Sequence, residues 1–174
     1  MKLYSLRYQQ TLPLDVAGAW DFFSSPHNLP RITPAWLDFQ LTCELPERMH
    51  AGMIISYRIR PLLGLPVNWV TEITHVNEPF FFVDEQRFGP YRFWHHQHHF
   101  RETAAGVEVE DVVHYGLKHR PFGGVLNRVL IRRRLEEIFA FRQRALARMF
   151  PPAEPVQRPA HRTAAAAVRG GRGA

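Results

Sequence analysis

The chain has 174 residues and a mass of 20.3 kDa, enough for one ordinary domain and a short tail. Apolar residues make up 45%, charged residues 22% and aromatics 13%, which suits a globular chain with a sizeable core and excludes disorder throughout. The formal net charge is +6, and half of the excess falls in 151–174, where four arginines face one glutamate, so the body lacks the concentrated basic stripe of a nucleic-acid binder.

Leu3 to Leu12 alternates loosely and predicts a strand, ended by Pro13. Asp15 is a good N-cap for a helix to Phe23, with Val16, Ala19, Trp20 and Phe23 on one face. Ser24-Ser25-Pro26 breaks that helix, and Pro26 starts a second short one through about Ile32. Strands are then expected over Phe39–Leu45, Gly52–Arg60, Val67–Val76, Phe81–Phe88, Tyr91–Glu102 and Val107–Leu117, with turns at Pro61–Pro66, Glu78-Pro79, Gly89-Pro90 and Ala104–Gly106. Spacings of roughly ten residues suit an antiparallel meander. A long helix from about Val125 to Met149 closes the body. Its apolar stripe is Ile131, Leu135, Ile138, Phe139, Ala145, Leu146 and Met149, and Arg142 lies on the same stripe. A curved antiparallel sheet with one buried face is naturally covered by such a helix. The Pro/Ala/Arg/Gly segment 151–174 has almost no large apolar residue and is expected to be disordered.

No apolar run, Phe80–Val83 being typical, approaches the roughly 20 residues of a membrane-spanning helix. Met1–Arg7 lacks the apolar stretch of a secretory signal, and the single Cys43 cannot form an internal disulfide, so a cytoplasmic location is expected.

Five of the ten histidines fall between His95 and His114. Strand alternation sorts them. Trp94, His96, His98 and Phe100 share one face, taken as inward because large aromatics bracket it. Tyr91, Phe93, His95, Gln97, His99 and Arg101 share the other. Val109, Asp111, Val113 and Tyr115 are inward in the next strand, and Phe82, Asp84, Gln86 and Phe88 in the preceding one. The predicted interior therefore holds Asp84, Gln86, His96, His98 and Asp111 among Trp69, Phe82, Trp94, Phe100 and Tyr115, with Arg142 meeting them from the helix. Buried polar groups need partners. They form a purely structural network, line a small-molecule pocket, or hold a metal through His96, His98 and Asp111 or Asp84. The His-x-His spacing is common and carries no further motif, so no metal and no cofactor are expected. Cys43 has no base partner, Ser24-Ser25 lacks the frame of a nucleophile elbow, and Gly123-Gly124 is not a phosphate loop.

The segments Leu14 to Phe23, Ser25–Leu29, Trp69–Thr74, Phe82–Gln86, Asp111-x-Val113-x-Tyr115 and above all Gly89-Pro90-Tyr91 leading into Trp94-x-His96-x-His98-x-Phe100 resemble the SRPBCC, START-like or helix-grip, superfamily. The likeness covers 1–150 and is nearest to bacterial stand-alone members of the polyketide cyclase/dehydrase-like kind. It implies an α+β helix-grip fold: a seven-stranded curved antiparallel sheet gripping a long C-terminal helix, two short helices after the first strand, and a cavity between. It also implies binding of a hydrophobic small molecule, lipid-like, isoprenoid or aromatic. Trp69, Phe82, Trp94, Phe100 and Tyr115 would give apolar contact. Asp84, Gln86, His96, His98, Asp111 and Arg142 would fix a polar head. The alternative is a cyclase, aromatase or dehydratase with His98 and Asp111 as catalytic residues and Arg142 or Tyr115 steadying an oxyanion. A third reading is a basic module docking on an acidic partner or a membrane surface. A monomer and a homodimer are both consistent with the sequence.

Overall fold

A computed structural model describes residues 2–62, 64–117 and 130–152. Seven strands form one antiparallel sheet: β1 (Leu3–Leu12), β2 (Gln40–Leu41), β3 (Ile54–Leu62), β4 (Leu65–Asn77), β5 (Phe81–Phe88), β6 (Phe93–Thr103) and β7 (Gly106–Gly116). The order across the sheet is β1-β7-β6-β5-β4-β3-β2, a meander from β2 to β7 with β1 closing beside β7. Helix α1 (Val16–Phe23) follows β1, then 3₁₀ turns over Pro26–Ile32 and Ala35–Leu37. Helix α2 (Arg132–Met149) ends the described body. The expected start of α2 near Val125, Phe122–Gly124 ahead of it, and the tail from 153 onward lie outside the described residues.

Local chemistry sets each junction. Asp15 Oδ1 accepts the Gly18 N–H at 2.7 Å and caps α1 as its sequence predicts. α1 then buries Val16, Ala19, Trp20, Phe22 and Phe23, with Trp20 edge-on to Phe82 and Phe100 at ring distances of 5.9 and 6.1 Å. α2 buries Leu135, Phe139, Arg142, Ala145 and Leu146, a stripe at helical spacing. Leu135 and Phe139 join Leu6, Val113 and Tyr115 of β1 and β7, while Ala145 and Leu146 join the α1 core. On the outer side of α2, Arg132 pairs with Glu136, and Arg133 and Arg134 pair with Glu137.

Four expectations change. The strand expected over Phe39–Leu45 shrinks to Gln40–Leu41. Beyond it Thr42 N–H bonds Ser56 O at 2.9 Å, and the Ser56 N–H turns to Cys43 Sγ, which itself donates to Ser56 O at 3.6 Å. In place of a turn over all of Pro61–Pro66, β3 runs on to Leu62 and β4 starts at Leu65, with Gly64 at φ +68 and a register shift between Ile59 and Leu62. Phe88 is not inward but 73% exposed. Thr71 pairs with Gln86 but Val70 with Phe88, so Arg87 is an extra residue and the bulge turns Phe88 onto the outer face. Tyr91 does not belong to the outer face either. β6 begins only at Phe93, and Tyr91 folds back onto Trp69, Trp94 and Tyr115.

Candidate functional site

The inward alternation of the three central strands is as predicted where it matters. Register places His96 opposite Asp84 on one side and Val113 on the other, and His98 opposite Phe82 and Asp111. His96, Val113 and Asp111 meet α2 through Phe139, Leu135 and Arg142, while Phe82 meets Trp20 of α1. Between the sheet, α2 and the short helical turns lies a cavity of about 160 Å³. Its walls are mostly apolar: Phe23 and Leu29 from the α1 end, Ile55, Tyr57 and Trp69 from β3 and β4, Phe82 and Trp94 from β5 and β6, and Leu135, Ile138 and Phe139 from α2.

One wall is charged. Asp84 Oδ2 is approached by His96 Nδ1 at 3.1 Å and His98 Nε2 at 2.9 Å. Asp111 Oδ1 is approached by His96 Nε2 at 2.9 Å, His98 Nδ1 at 3.0 Å and Arg142 Nη1 at 3.2 Å. Both imidazoles therefore lie between the same two carboxylates, with ring centres 3.8 Å apart. His98 Nδ1, though 3.0 Å from Asp111 Oδ1, makes no hydrogen bond to it. Trp94 Nε1–H donates to the other Asp84 oxygen at 3.2 Å. His96, His98, Asp111 and Arg142 are all buried.

His96 Nε2 is hydrogen-bonded to Asp111 Oδ1 and its Nδ1 lies 3.1 Å from Asp84 Oδ2, so a carboxylate oxygen, which only accepts, stands at each nitrogen, an arrangement that favours the imidazolium. Its pKa agrees in direction. Burial opposes the charge, but Asp84 and the hydrogen bonds to Asp111 and Asp84 outweigh it and raise His96 to about 9. Burial likewise opposes ionisation of Asp84, yet the charge on His96 and the two histidine hydrogen bonds hold its carboxyl well below the usual range. Asp111 is held low against burial by Arg142, then by His96 and His98. The Tyr57 hydroxyl, bonded to Thr71 Oγ1 at 3.1 Å, is pushed up by burial and by Asp84.

Of the residues nominated from sequence, Trp69, Phe82, Asp84, Trp94, His96, His98 and Arg142 meet at the cavity wall. Asp111 stands one layer behind, across the histidines. Gln86 is turned to the main chain of Tyr91: its Nε2 donates to Tyr91 O at 2.8 Å and its Oε1 accepts Tyr91 N–H at 3.2 Å. Phe100 stacks behind Phe82, and Tyr115 lies in the β1–β7–α2 core against Tyr4. Sequence reasoning did not nominate Ile55, Tyr57, Leu135 or Ile138. Their signal was present in the same strand and helix alternation, one strand further along and on the α2 stripe.

No protein-family model matches the chain, and no curated protein sequence matches it. Solved structures do. Ginseng major latex-like protein 151 from Panax ginseng superposes with a TM-score of 0.63 at 16% identity, covering 86% of this chain and 99% of that one. Protein CV1439 from Chromobacterium violaceum gives 0.63 at 11% identity with the same coverage. Protein Ms6760 from Mycobacterium smegmatis gives 0.60 at 16% identity over 83% and 89%. The fold is the helix grip. At these identities the likeness is one of fold alone, and function rests on the site. A helix-grip cavity of this kind can hold an apolar body while presenting Asp84, His96, His98 and Arg142 to one end of it.

Among the described residues no helix is long and apolar enough to cross a membrane.

Proposed function

We propose that the protein binds one hydrophobic small molecule in the helix-grip cavity, as a member of the SRPBCC group, with the Asp84/His96/His98/Arg142 wall fixing its polar end. The cavity itself carries this reading: about 160 Å³, apolar on most sides and charged on one. An apolar cavity of about 150 Å³ in another protein takes benzene. The size therefore favours a compact aromatic or a short isoprenoid over a two-chain lipid. Trp69 Nε1–H and Arg142 Nε–H are buried without an acceptor among the described residues, and both belong to wall residues, so a ligand oxygen has donors to meet. The half-buried, unpaired Cys43 accords with a cytoplasmic setting.

The test is titration with 1-aminoanthracene, an apolar fluorescent probe. The full chain should show saturable binding of one probe. Leu29→Trp and Ile138→Trp, at two half-buried wall positions, should each weaken it at least tenfold by filling the space. Binding that never saturates, or that ignores both fillings, would remove the reading.

An enzyme of the cyclase or dehydratase kind is favoured by one observation: Asp84, His96 and His98 face the cavity rather than solvent. His96, already carrying its proton, suits a general acid more than a base. In that case His98→Ala abolishes turnover of a carbonyl-bearing substrate while probe binding persists. The arginines on the described part of α2 that were to dock an acidic partner are largely occupied by Glu136 and Glu137.

A further inference from the structure

We propose that Asp84 Oδ2, His96 Nδ1 and His98 Nε2 form a three-donor site for a divalent transition-metal ion of the zinc class, open on its cavity side. One ligand atom from each of Asp84, His96 and His98 lies within 4.8 Å of those of the other two. Two of the separations are 3.1 and 2.9 Å. Tetrahedral zinc with bonds of about 2.0–2.1 Å sets its donors about 3.3 Å apart, within a few tenths of an ångström of those two separations. Two imidazoles and one carboxylate select zinc, cobalt(II) or iron(II) over magnesium or calcium, which prefer oxygen donors alone.

The far side of the cluster supports this more than the donors do. A metal-bound imidazole needs the ion on one nitrogen and an acceptor on the other, which sets its tautomer and orientation. Asp111 Oδ1 is hydrogen-bonded to that other nitrogen of His96 at 2.9 Å, and lies 3.0 Å from that of His98 without hydrogen-bond geometry. Arg142 in turn holds Asp111. Trp94 Nε1–H holds the second oxygen of Asp84, leaving Oδ2 for the ion. A plain hydrogen-bonded network has no need to run two adjacent histidines, with ring centres 3.8 Å apart, between the same two carboxylates. The lining also divides as a metal site would: Asp84, His96 and His98 border the cavity, and Asp111 does not. With a dication bound, Asp84, Asp111 and Arg142 leave one net positive charge. The fourth position then favours hydroxide or an anionic oxygen donor.

The full chain, stripped with a chelator and dialysed, is titrated with zinc against a chromophoric chelator and separately with cobalt(II). One zinc per chain and the strong visible bands of tetrahedral cobalt(II) are expected. Asp84→Asn and His98→Ala should each weaken uptake at least tenfold, and Asp111→Asn, acting as a positioning residue, by about 10–100-fold. His95→Ala with His99→Ala, on the opposite face, should change nothing. Circular dichroism establishes that each variant is folded. Proton NMR of the unaltered chain decides the matter without substitution, since cobalt(II) should shift the ring protons of His96 and His98. Absence of stoichiometric uptake, uptake indifferent to Asp84→Asn and His98→Ala, or shifts on His95, His99 and His114 instead would each overturn the site. The aminoanthracene titration reads the cavity separately, so loss of the metal with probe binding intact removes only the metal.

Discussion

Raising the pH of the metal-free protein from 6.5 to 9.5 should remove the stabilisation that His96 supplies. In the folded chain the imidazolium faces Asp84 and Asp111, with the His98 ring tilted beside it, Arg142 across Asp111 and the ring of Phe139 edge-on. Its pKa is raised from 6.5 to about 9. A raised pKa means the folded state holds the proton more tightly than the unfolded chain. The contribution is therefore complete below about pH 6.5 and is lost as pH climbs through 9. At about 1.4 kcal/mol per pKa unit, the full shift is worth roughly 3 kcal/mol, a large share of the 5–15 kcal/mol typical of a domain. Asp84 and Asp111 act in the opposite window. Their depressed pKa values give stability above about pH 4 that is lost in acid. Greatest stability is thus expected near pH 5–6.5. Urea unfolding across pH 5.5–9.5, in buffer containing a chelator, measures it for the unaltered chain and for His96→Gln. If both chains lose the same stability between pH 6.5 and 9.5, the argument fails. An NMR titration midpoint for His96 below 6.5 would refute it directly.

Arg142→Met leaves Asp111 buried beside the histidines without its guanidinium, and should cost about 3–5 kcal/mol in urea unfolding; adding Asp111→Asn should recover much of it. Gly106→Ala should cost roughly 1–3 kcal/mol, because Gly106 sits at φ +122 and a Cβ there would run into the Leu12 carbonyl; a melting temperature unchanged by the substitution refutes that. Asp15→Ala removes the cap on α1 and should cost about 1 kcal/mol, with probe binding retained.

What was legible in the sequence, and what was not, divides by the range of the interaction. Period-two alternation placed Trp94, His96, His98 and Phe100 inward because β6 runs unbroken between two partners. The same rule failed for Phe88 two residues beyond a correct Gln86, since a bulge at Arg87 depends on the partner strand β4 and leaves no local mark. It failed for Tyr91 because the strand began later than its sequence suggested. Alternation placed Gln86 and Tyr115 inward, but it cannot say whether an inward side chain meets a cavity, the main chain or other side chains. Gln86 meets the main chain of Tyr91, and Tyr115 the β1–β7 core. Pairing across strands was the other gap. The sequence left Asp84 and Asp111 as alternatives for His96 and His98, whereas the register gives both carboxylates to both histidines.

That double pairing bears on why the cluster exists. Two carboxylates, two imidazoles and a guanidinium have been taken out of water beside an apolar cavity, against a desolvation cost of several kcal/mol per ion. Leucine and phenylalanine in the same volume would hold sheet and helix together at least as well. Apolar contacts already join helices and sheet, with Trp20 edge-on to Phe82 and Phe100 and Tyr8 stacked on Phe139. Folding alone gives no reason for the cluster. A role at the cavity does, since charges oriented in advance within a dry site act strongly on whatever binds there and need little rearrangement when it arrives. The chain thus holds its polar groups at the one wall where the apolar core stops short of filling the grip.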